Sequence, residues 1–234
     1  QLGSDINGEA ANDFSGYSVS LSSDGSVVAI GAPYNDDNGN NSGHVRIYKN
    51  INNTWTQLGS DIDGEAAENY SGWSVSLSSD GSVVAIGADW NDGNGSASGH
   101  VRIYKNNNNI WTQVGSDIDG EATGDLSGSS VSLSADGSVV AIGAAWNDGN
   151  GSASGHVRVY KNENNTWTKI GADINGEAAG DASGKSVSLS ADGSVVAIGA
   201  PHNSANGSNS GHARIFKNID NNWTQIGFDL DGEA

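Results

Sequence analysis

Short acidic stretches recur along the chain and are the first candidates for chemistry. Two of them read DIDGE and supply six acids: Asp61, Asp63 and Glu65, then Asp117, Asp119 and Glu121. In an extended strand, residues two apart project from the same face, so each stretch could present its carboxyl groups together. Close carboxylates repel one another unless a cation or solvent separates them. The six acids are therefore candidate metal ligands with calcium as the candidate ion, and solvated turns are the alternative interpretation.

A polar loop that occurs four times supplies the second set of candidates. In three copies an aromatic residue precedes Asn and Asp, giving Tyr34, Asn35 and Asp36; Trp90, Asn91 and Asp92; and Trp146, Asn147 and Asp148. An exposed ring can stack on a sugar while amide and carboxyl groups take its hydroxyls. These nine residues are predicted to bind a ligand, and packing of the rings against a neighbouring copy is the alternative. The fourth copy has His202 and no acid in its loop.

Catalytic groups are expected to be absent. A catalytic site needs a nucleophile, a base and an orienting group within reach of one another. The recurring histidines instead occupy one place in each copy, always after Gly, and are expected to be structural: His44, His100, His156 and His212. The many serines lack the context of a nucleophile elbow. We therefore expect a protein that is not an enzyme.

Composition excludes several classes of partner. The net charge is −18 with only ten Lys and Arg, so nucleic acid and anionic lipid are not expected to bind. No apolar run approaches the roughly 18 residues that span a bilayer, so no membrane insertion is expected. Cysteine is absent, which removes disulfides and thiol chemistry. Methionine is absent too, so we expect a processed chain or a piece of a longer one.

The chain is a tandem repeat with a period of 56 residues. Equivalent positions are Gln1, Gln57, Gln113, Lys169 and Gln225. Periods of this size indicate solenoids, propellers or arrays. The predicted units are 1–10 as the end of a preceding unit, followed by 11–66, 67–122, 123–178 and 179–234.

Each repeat is predicted to hold four short antiparallel strands. In the first copy the predicted strands are Gly16–Ser23, Ser26–Ala32, His44–Asn50 and Thr54–Ile62. The first and third alternate apolar and polar residues, the second is continuously apolar, and Asp24 with Gly25 is a hairpin signal. A four-stranded antiparallel sheet repeated in tandem predicts an all-β protein of β-propeller blades. One Trp per copy is expected to pack between neighbouring blades: Trp55, Trp111, Trp167 and Trp223.

These motifs resemble the FG-GAP repeats of integrin-α-type propellers. The resemblance rests on Gly31-Ala32-Pro33 and Gly199-Ala200-Pro201, on the preceding SVSLSSDGSVVAI, and on an upstream D-x-S-G-x-S-V. It is greatest with short-loop versions in repetitive surface and secreted proteins of marine Bacteroidetes. The phenylalanine of the family's FG is serine here, at Ser15, Ser71, Ser127 and Ser183.

The resemblance implies a calcium loop between the first two strands of each blade, of the form D-x-[DN]-x-[DN]-G-x-x-D. In this chain the loop reads SLSSDGSVV, and Asp24 is its only acid. Calcium takes six to eight oxygen ligands, several of them carboxylates. The calcium loop of the family is therefore expected to be lost.

Blades that leave a sheet face open would expose apolar surface and strand edges. The terminal stretches QLGSDINGEA and QIGFDLDGEA would occupy the same place in a closed ring of four. We therefore expect the four blades to belong to a larger ring, completed by further copies of the repeat or by a second chain. The predicted function is a non-enzymatic extracellular or cell-surface scaffold for adhesion or for binding a protein or another ligand. The alternatives are a glycan-binding lectin and a calcium-stabilised array.

Overall fold

The computed structural model describes residues 1–233, and every regular element within them is a β-strand. No helix that could cross a membrane occurs among the described residues. The strands form four separate sheets, one for each repeat, and we call them blades 1 to 4 in chain order. The predicted all-β class is confirmed.

The strand bounds recur at the same places in each blade. Blade 1 comprises β1 (Ser18–Leu21), β2 (Val27–Ala32), β3 (His44–Ile51), β4 (Thr54–Gln57) and β5 (Ile62–Asp63). Blade 2 comprises β6 (Ser74–Leu77), β7 (Val83–Ala88), β8 (His100–Asn107), β9 (Ile110–Gln113) and β10 (Ile118–Asp119). Blade 3 comprises β11 (Ser130–Leu133), β12 (Val139–Ala144), β13 (His156–Glu163), β14 (Thr166–Lys169) and β15 (Ile174–Asn175). Blade 4 comprises β16 (Ser186–Leu189), β17 (Val195–Ala200), β18 (His212–Ile219), β19 (Asn222–Gln225) and β20 (Leu230–Asp231).

Each blade is an antiparallel meander in which β1 pairs with β2, β2 with β3, and β3 with β4. The fourth strand is broken, because β5 also pairs with β3, at His44 and Val45. The break between Gln57 and Ile62 contains Gly59, whose φ of +83° turns the chain out of the sheet. The opening admits Trp111 of blade 2, whose indole N–H donates to the Leu58 carbonyl at 2.6 Å.

The first hairpin turn is closed by its own side chain. Asp24 accepts hydrogen bonds from the hydroxyl of Ser22 at 2.7 Å and from the backbone N–H of Ser26 at 2.9 Å. These bonds, the Ser26 N–H foremost, lower the pKa of Asp24 to about 2. The carboxylate that remains from the family's calcium loop therefore serves the turn in this chain.

The apolar core lies between blades. The first such core joins one face of blade 1 to the opposite face of blade 2, and its fully buried members include Val45, Ile47, Val84 and Ile86. Equivalent cores join blade 2 to blade 3 and blade 3 to blade 4. The tryptophans of β9, β14 and β19 are half-buried and pack against these cores, between neighbouring blades as predicted. A blade therefore buries its flat faces against its neighbours.

The first strands of successive blades meet where the blades converge. The Leu77 N–H of β6 donates to the Ser20 hydroxyl of β1 at 2.9 Å. After these strands, the Ser23 N–H donates to the Ser79 carbonyl of the next blade at 2.8 Å, and the remaining boundaries repeat this bond. Serine is short enough to allow this approach and still supplies a hydrogen-bonding group.

The tightest approach between blades is made at glycine. A Cβ added to Gly87 of β7 would lie 2.1 Å from the Gly128 carbonyl oxygen at the start of blade 3. That carbonyl also accepts a hydrogen bond from the Ser74 hydroxyl of blade 2 at 2.7 Å. Gly31 and Gly143 make the same approach at the other two boundaries.

Within residues 1–233, no blade packs against the outward faces of blades 1 and 4. Val19 and Leu21 in β1 are 65% and 60% exposed, whereas their counterparts in β6, Val75 and Leu77, are 9% and 7% exposed. At the other end, Leu230 is 59% exposed while the equivalent Ile174 is buried. The four blades thus form an open arc, as expected for part of a larger propeller ring.

Candidate functional site

The predicted ligand-binding loops are held together by their own polar groups. The Asn35 amide is buried, donates to the Asp13 carboxylate at 3.1 Å and accepts from the Asp37 N–H at 2.9 Å. Asn147 does the same with Asp125 and the Gly149 N–H. Asn91 is also buried, and its side-chain oxygen accepts from the N–H of Gly93.

The acids of these loops close the same turns from the solvent side. Asp36, Asp92 and Asp148 each accept a backbone N–H five residues further along, all at 2.8 Å. Closing a turn with its own side chain is a usual role of Asn and Asp in loops. Binding of a ligand by these amides and acids stays a prediction.

The aromatic members of the loops lie at the surface. Trp90 and Trp146 are 49% and 56% exposed, while Tyr34 is half-buried. Tyr34 and Trp90 belong to a continuous cluster, which we call the aromatic patch: Phe14, Tyr17, Tyr34, Tyr70, Trp73 and Trp90. Trp146 of blade 3 lies outside it.

The patch spans the boundary between blades 1 and 2. Ring centroids are 4.9 Å apart for Phe14 and Tyr34, 5.2 Å for Tyr34 and Tyr70, and 4.6 Å for Tyr17 and Trp73. Tilted and edge-on pairs at such distances are favourable arrangements for aromatic rings. Phe14 is nevertheless 60% exposed and Tyr17 47% exposed, so much of the ring surface faces solvent.

Four members of the patch were not among the predicted site residues: Phe14, Tyr17, Tyr70 and Trp73. Phe14 and Tyr70 occupy one repeat position, and the later copies have Leu126 and Ala182 there. Tyr17 and Trp73 occupy another, followed by Ser129 and Lys185. The signal was present, because both positions are aromatic only in the first two copies. What the sequence alone could not show is that the two positions and Tyr34 meet across a blade boundary.

A buried acid lies beside the patch. Asp89 is 2% exposed, and one of its carboxylate oxygens has no hydrogen-bond partner. Burial raises the pKa of Asp89 to about 7, with Lys185 acting in the opposite direction. The pKa of Tyr17 is raised as well, first by burial and then by Tyr34 and Asp89. Blade 3 has the buried Ala145 at the position of Asp89.

The predicted metal ligands separate into different groups. Asp61 lies by the buried His44 of its own blade, with a carboxylate oxygen 3.8 Å from Nδ1. Glu65 reaches the next blade, where its Oε2 is 3.8 Å from Nδ1 of His100. Asp117 also approaches His100, at 3.6 Å, and Glu121 approaches His156 at 4.0 Å. The three acids of one DIDGE stretch therefore do not meet in one group.

Asp63 and Asp119 lie outside these acid–histidine groups. Burial raises the pKa of both carboxyls, and the adjacent acids Asp61 and Asp117 add to the effect. The backbone carbonyl of Asp63 accepts a hydrogen bond from Arg102 at 2.7 Å. Burial and Arg102 together lower the pKa of His100 to about 4. The histidines were expected to be structural, and their proximity to the acids was not predicted.

Comparison with known proteins identifies the family. The family model described as FG-GAP repeat matches residues 7–48, 61–104 and 170–216, together more than half of the chain. The chain therefore belongs to the FG-GAP repeat family, as the sequence resemblance implied. No curated protein matches the chain.

Solved structures with the same fold are distant in sequence. A putative 6-phosphogluconolactonase from Bacteroides uniformis matches 92% of this chain with a TM-score of 0.63 at 12% identity. Hydrazine synthase from Kuenenia stuttgartiensis matches 100% with a TM-score of 0.60 at 12% identity. KlAtg21, in complex with the coiled coil of AgAtg16, matches 92% with a TM-score of 0.60 at 11% identity. The chain spans only 53% to 57% of the length of these three, and at such identities the likeness shows the fold alone.

Replacing Asp89 by Asn should change the pH dependence of stability. An unfolded Asp titrates near 3.8, whereas Asp89 in the fold titrates near 7. Below pH 4 the group is protonated in both states and does not destabilise the fold. The destabilisation grows as pH rises from 4 to 7 and reaches its full value above pH 7. The free energy of unfolding of D89N, taken relative to the parent chain, should be about 2–4 kcal/mol higher at pH 8 than at pH 4. Urea unfolding at both pH values measures this gain, and an equal difference at the two would contradict it.

Proposed function

We propose that this chain is a non-enzymatic binding scaffold and that the aromatic patch is its ligand surface. The observation that carries the proposal is a continuous cluster of six rings of which Phe14, Tyr17 and Trp90 are about half exposed or more. Aromatic side chains are enriched at the energetic centres of protein interfaces. Contiguous apolar surface rimmed by polar groups is typical of a binding site.

The repeat itself argues against a purely structural role for the patch. Blades 3 and 4 fold with the same strands and registers as blades 1 and 2. At the positions of Phe14 and Tyr17 they have Leu126 and Ser129, then Ala182 and Lys185, whereas at the position of Tyr34 blade 3 keeps a ring, Trp146. Because the blade forms without these aromatic residues, their concentration in blades 1 and 2 is better explained by a contact that only this end of the arc makes.

The partner that fits the patch best is a protein that presents apolar side chains. A sugar needs polar groups beside the stacking ring, and the nearby loop amides of Asn35 and Asn91 are buried in their own turns. The lectin alternative is favoured by the exposed faces of Trp90 and Trp146. We propose an extracellular or cell-surface location, which is typical of FG-GAP repeat proteins.

The uncovered ends of the arc support a second part of the proposal, namely that two copies of the chain join end to end. Gly31 and Gly43 of blade 1 contact Gly72 and Ser71 of blade 2. The equivalent glycines of blade 4, Gly199 and Gly211, line an open cavity of about 450 Å³. Ser15 and Gly16, the counterparts of Ser71 and Gly72, are partly or fully exposed. Two copies would supply eight blades, within the range of about four to eight found in propellers.

Ligand binding should depend on the patch. Wild-type protein would be screened against a phage-displayed peptide library and a glycan array, and each hit would then be measured with Y17S/W90A. Loss of both rings should weaken a peptide hit at least about tenfold, because aromatic anchors carry much of an interface's free energy. The control is I110S, which removes an exposed apolar side chain on the outer strand β9. Peptide hits that bind Y17S/W90A unchanged would contradict the proposal, and patch-dependent glycan hits alone would favour the lectin.

End-to-end pairing should be visible in the solution mass. The wild-type chain should show about twice its 23.8 kDa by light scattering at micromolar concentration. L21E places a charge on the uncovered face of blade 1 and should return the mass to that of one chain. I110E, on the outer edge, should leave the larger mass unchanged. A wild-type mass of 23.8 kDa at all concentrations would overturn the pairing and leave the patch proposal standing.

A further inference from the structure

Four equivalent groups of acids and histidine occur along the chain, one for each blade, and none of them includes a residue of the aromatic patch. We call them the acid–histidine clusters, and their members are Glu9, Asp37, His44 and Asp61; Glu65, His100 and Asp117; Glu121, His156 and Asp173; and Glu177, His212 and Asp229. In every cluster one donor atom from each residue lies within 4.8 Å of the others. No feature of the proposed binding function uses them.

Two of the four histidines have a buried Nδ1 that lacks a hydrogen-bond partner, and in His156 the unpartnered atom is Nε2. His44 is 1% exposed, and its Nδ1, the atom that faces the carboxylates, has no hydrogen-bond partner. The side chain of His212 is fully buried, and neither of its ring nitrogens has a partner. A buried polar atom without a partner is destabilising, and such atoms are rare in native proteins. The same arrangement in two of the four clusters indicates that a ligand satisfies these nitrogens.

The separations within the clusters suit a shared ion better than a hydrogen bond. The Nδ1 atom of His44 is 3.7 Å from Glu9, 3.8 Å from Asp37 and 3.8 Å from Asp61. An N–H···O bond spans about 2.7–3.2 Å, so these pairs are too far apart to bond directly. Two ligand atoms about 2.1 Å from one tetrahedral ion lie about 3.4 Å apart. Small side-chain movements would therefore place all the donors around one ion.

An arginine two residues after each histidine orients the glutamate. Arg46 approaches Oε1 of Glu9 at 3.5 Å, while Oε2 of the same carboxylate faces His44. Arg46 is held by a second contact, in which it donates to the Asn7 carbonyl at 2.7 Å. Groups that orient a ligand in this way are a regular part of metal sites. The positive charge of Arg46 opposes a cation, and the several carboxylates of the cluster offset it.

We propose that the acid–histidine clusters bind divalent transition-metal ions of the zinc class through histidine Nδ1 and two or more carboxylates. Imidazole suits zinc and its neighbours in the periodic table, whereas calcium takes oxygen ligands in larger number. The histidine and one acid come from a blade, and the glutamate comes from the segment that precedes it. In the second cluster Glu65 follows β5 of blade 1 and His100 begins β8 of blade 2. The ion thus links consecutive blades.

The test is titration of the full chain with zinc chloride alone, followed by calorimetry. Wild-type protein should bind about four equivalents, and H44Q should lose one of them. The control is H202Q, which changes the exposed fifth histidine outside the clusters and should keep all four. Cobalt(II) should give visible absorption bands of tetrahedral intensity, which H44Q reduces by about a quarter. Zinc stoichiometry that is the same in H44Q and wild type would overturn the proposal.

A second variant guards against loss of folding in H44Q. Glu65 is 44% exposed, so E65Q changes a surface side chain and should leave the circular dichroism spectrum unchanged. It should lower zinc affinity at the second cluster at least about tenfold, because loss of a group that only orients a ligand already costs about 10–100-fold. Unchanged affinity in a folded E65Q chain, or calcium binding with the stoichiometry expected for zinc, would also overturn the proposal.

Discussion

The structure depends on how closely successive blades approach one another where they converge. At each boundary a β-strand glycine lies against the backbone carbonyl of the next blade, and at Gly87 there is no room for even one additional carbon. Serine hydroxyls occupy the remaining space and bond across the boundary, as Ser20 does with the N–H of Leu77. Close packing without strain is what gives apolar faces their full dispersion and hydrophobic contributions. Glycine at these strand positions and serine beside it are therefore required by the packing geometry of the boundaries.

The features proposed to carry function follow from the same constraint. Because the core lies between blades, one blade alone leaves two apolar faces exposed, and an arc of four leaves one at each end. The boundaries also bring together residues that are far apart in sequence. Tyr34 meets Tyr70 across one boundary, and Glu65 meets His100 across the same one. Sequence differences between copies determine which side chains are exposed at each boundary, so the aromatic patch lies between blades 1 and 2. The acid–histidine arrangement, in contrast, recurs at every blade.

Much of the fold was accessible from the sequence because it is encoded locally. Alternation in SVSL, the continuous VVAIGA and the Asp24–Gly25 turn predict strands and a hairpin, and the period shows that the units stack. The broken fourth strand was not predicted, because the break at Gly59 makes room for Trp111 of another blade. The candidate sites were predicted less completely for the same reason. A same-face argument within DIDGE could not show that Asp61 and Glu65 pack against different histidines, since that depends on the angle between blades.

The most direct test of the central claim compares one substitution at two equivalent glycines. An alanine at Gly87 would meet the Gly128 carbonyl of blade 3, whereas an alanine at Gly199 of blade 4 would meet only the Ser186 hydroxyl, which can rotate away. Urea unfolding would be followed by tryptophan fluorescence in the L21E background, which keeps the chains from pairing end to end. G87A should lower the free energy of unfolding by about 2–3 kcal/mol, and G199A by about 1 kcal/mol or less. Equal decreases in the free energy of unfolding would contradict this claim, because the contact with the next blade would then not be the reason that glycine is required at this position.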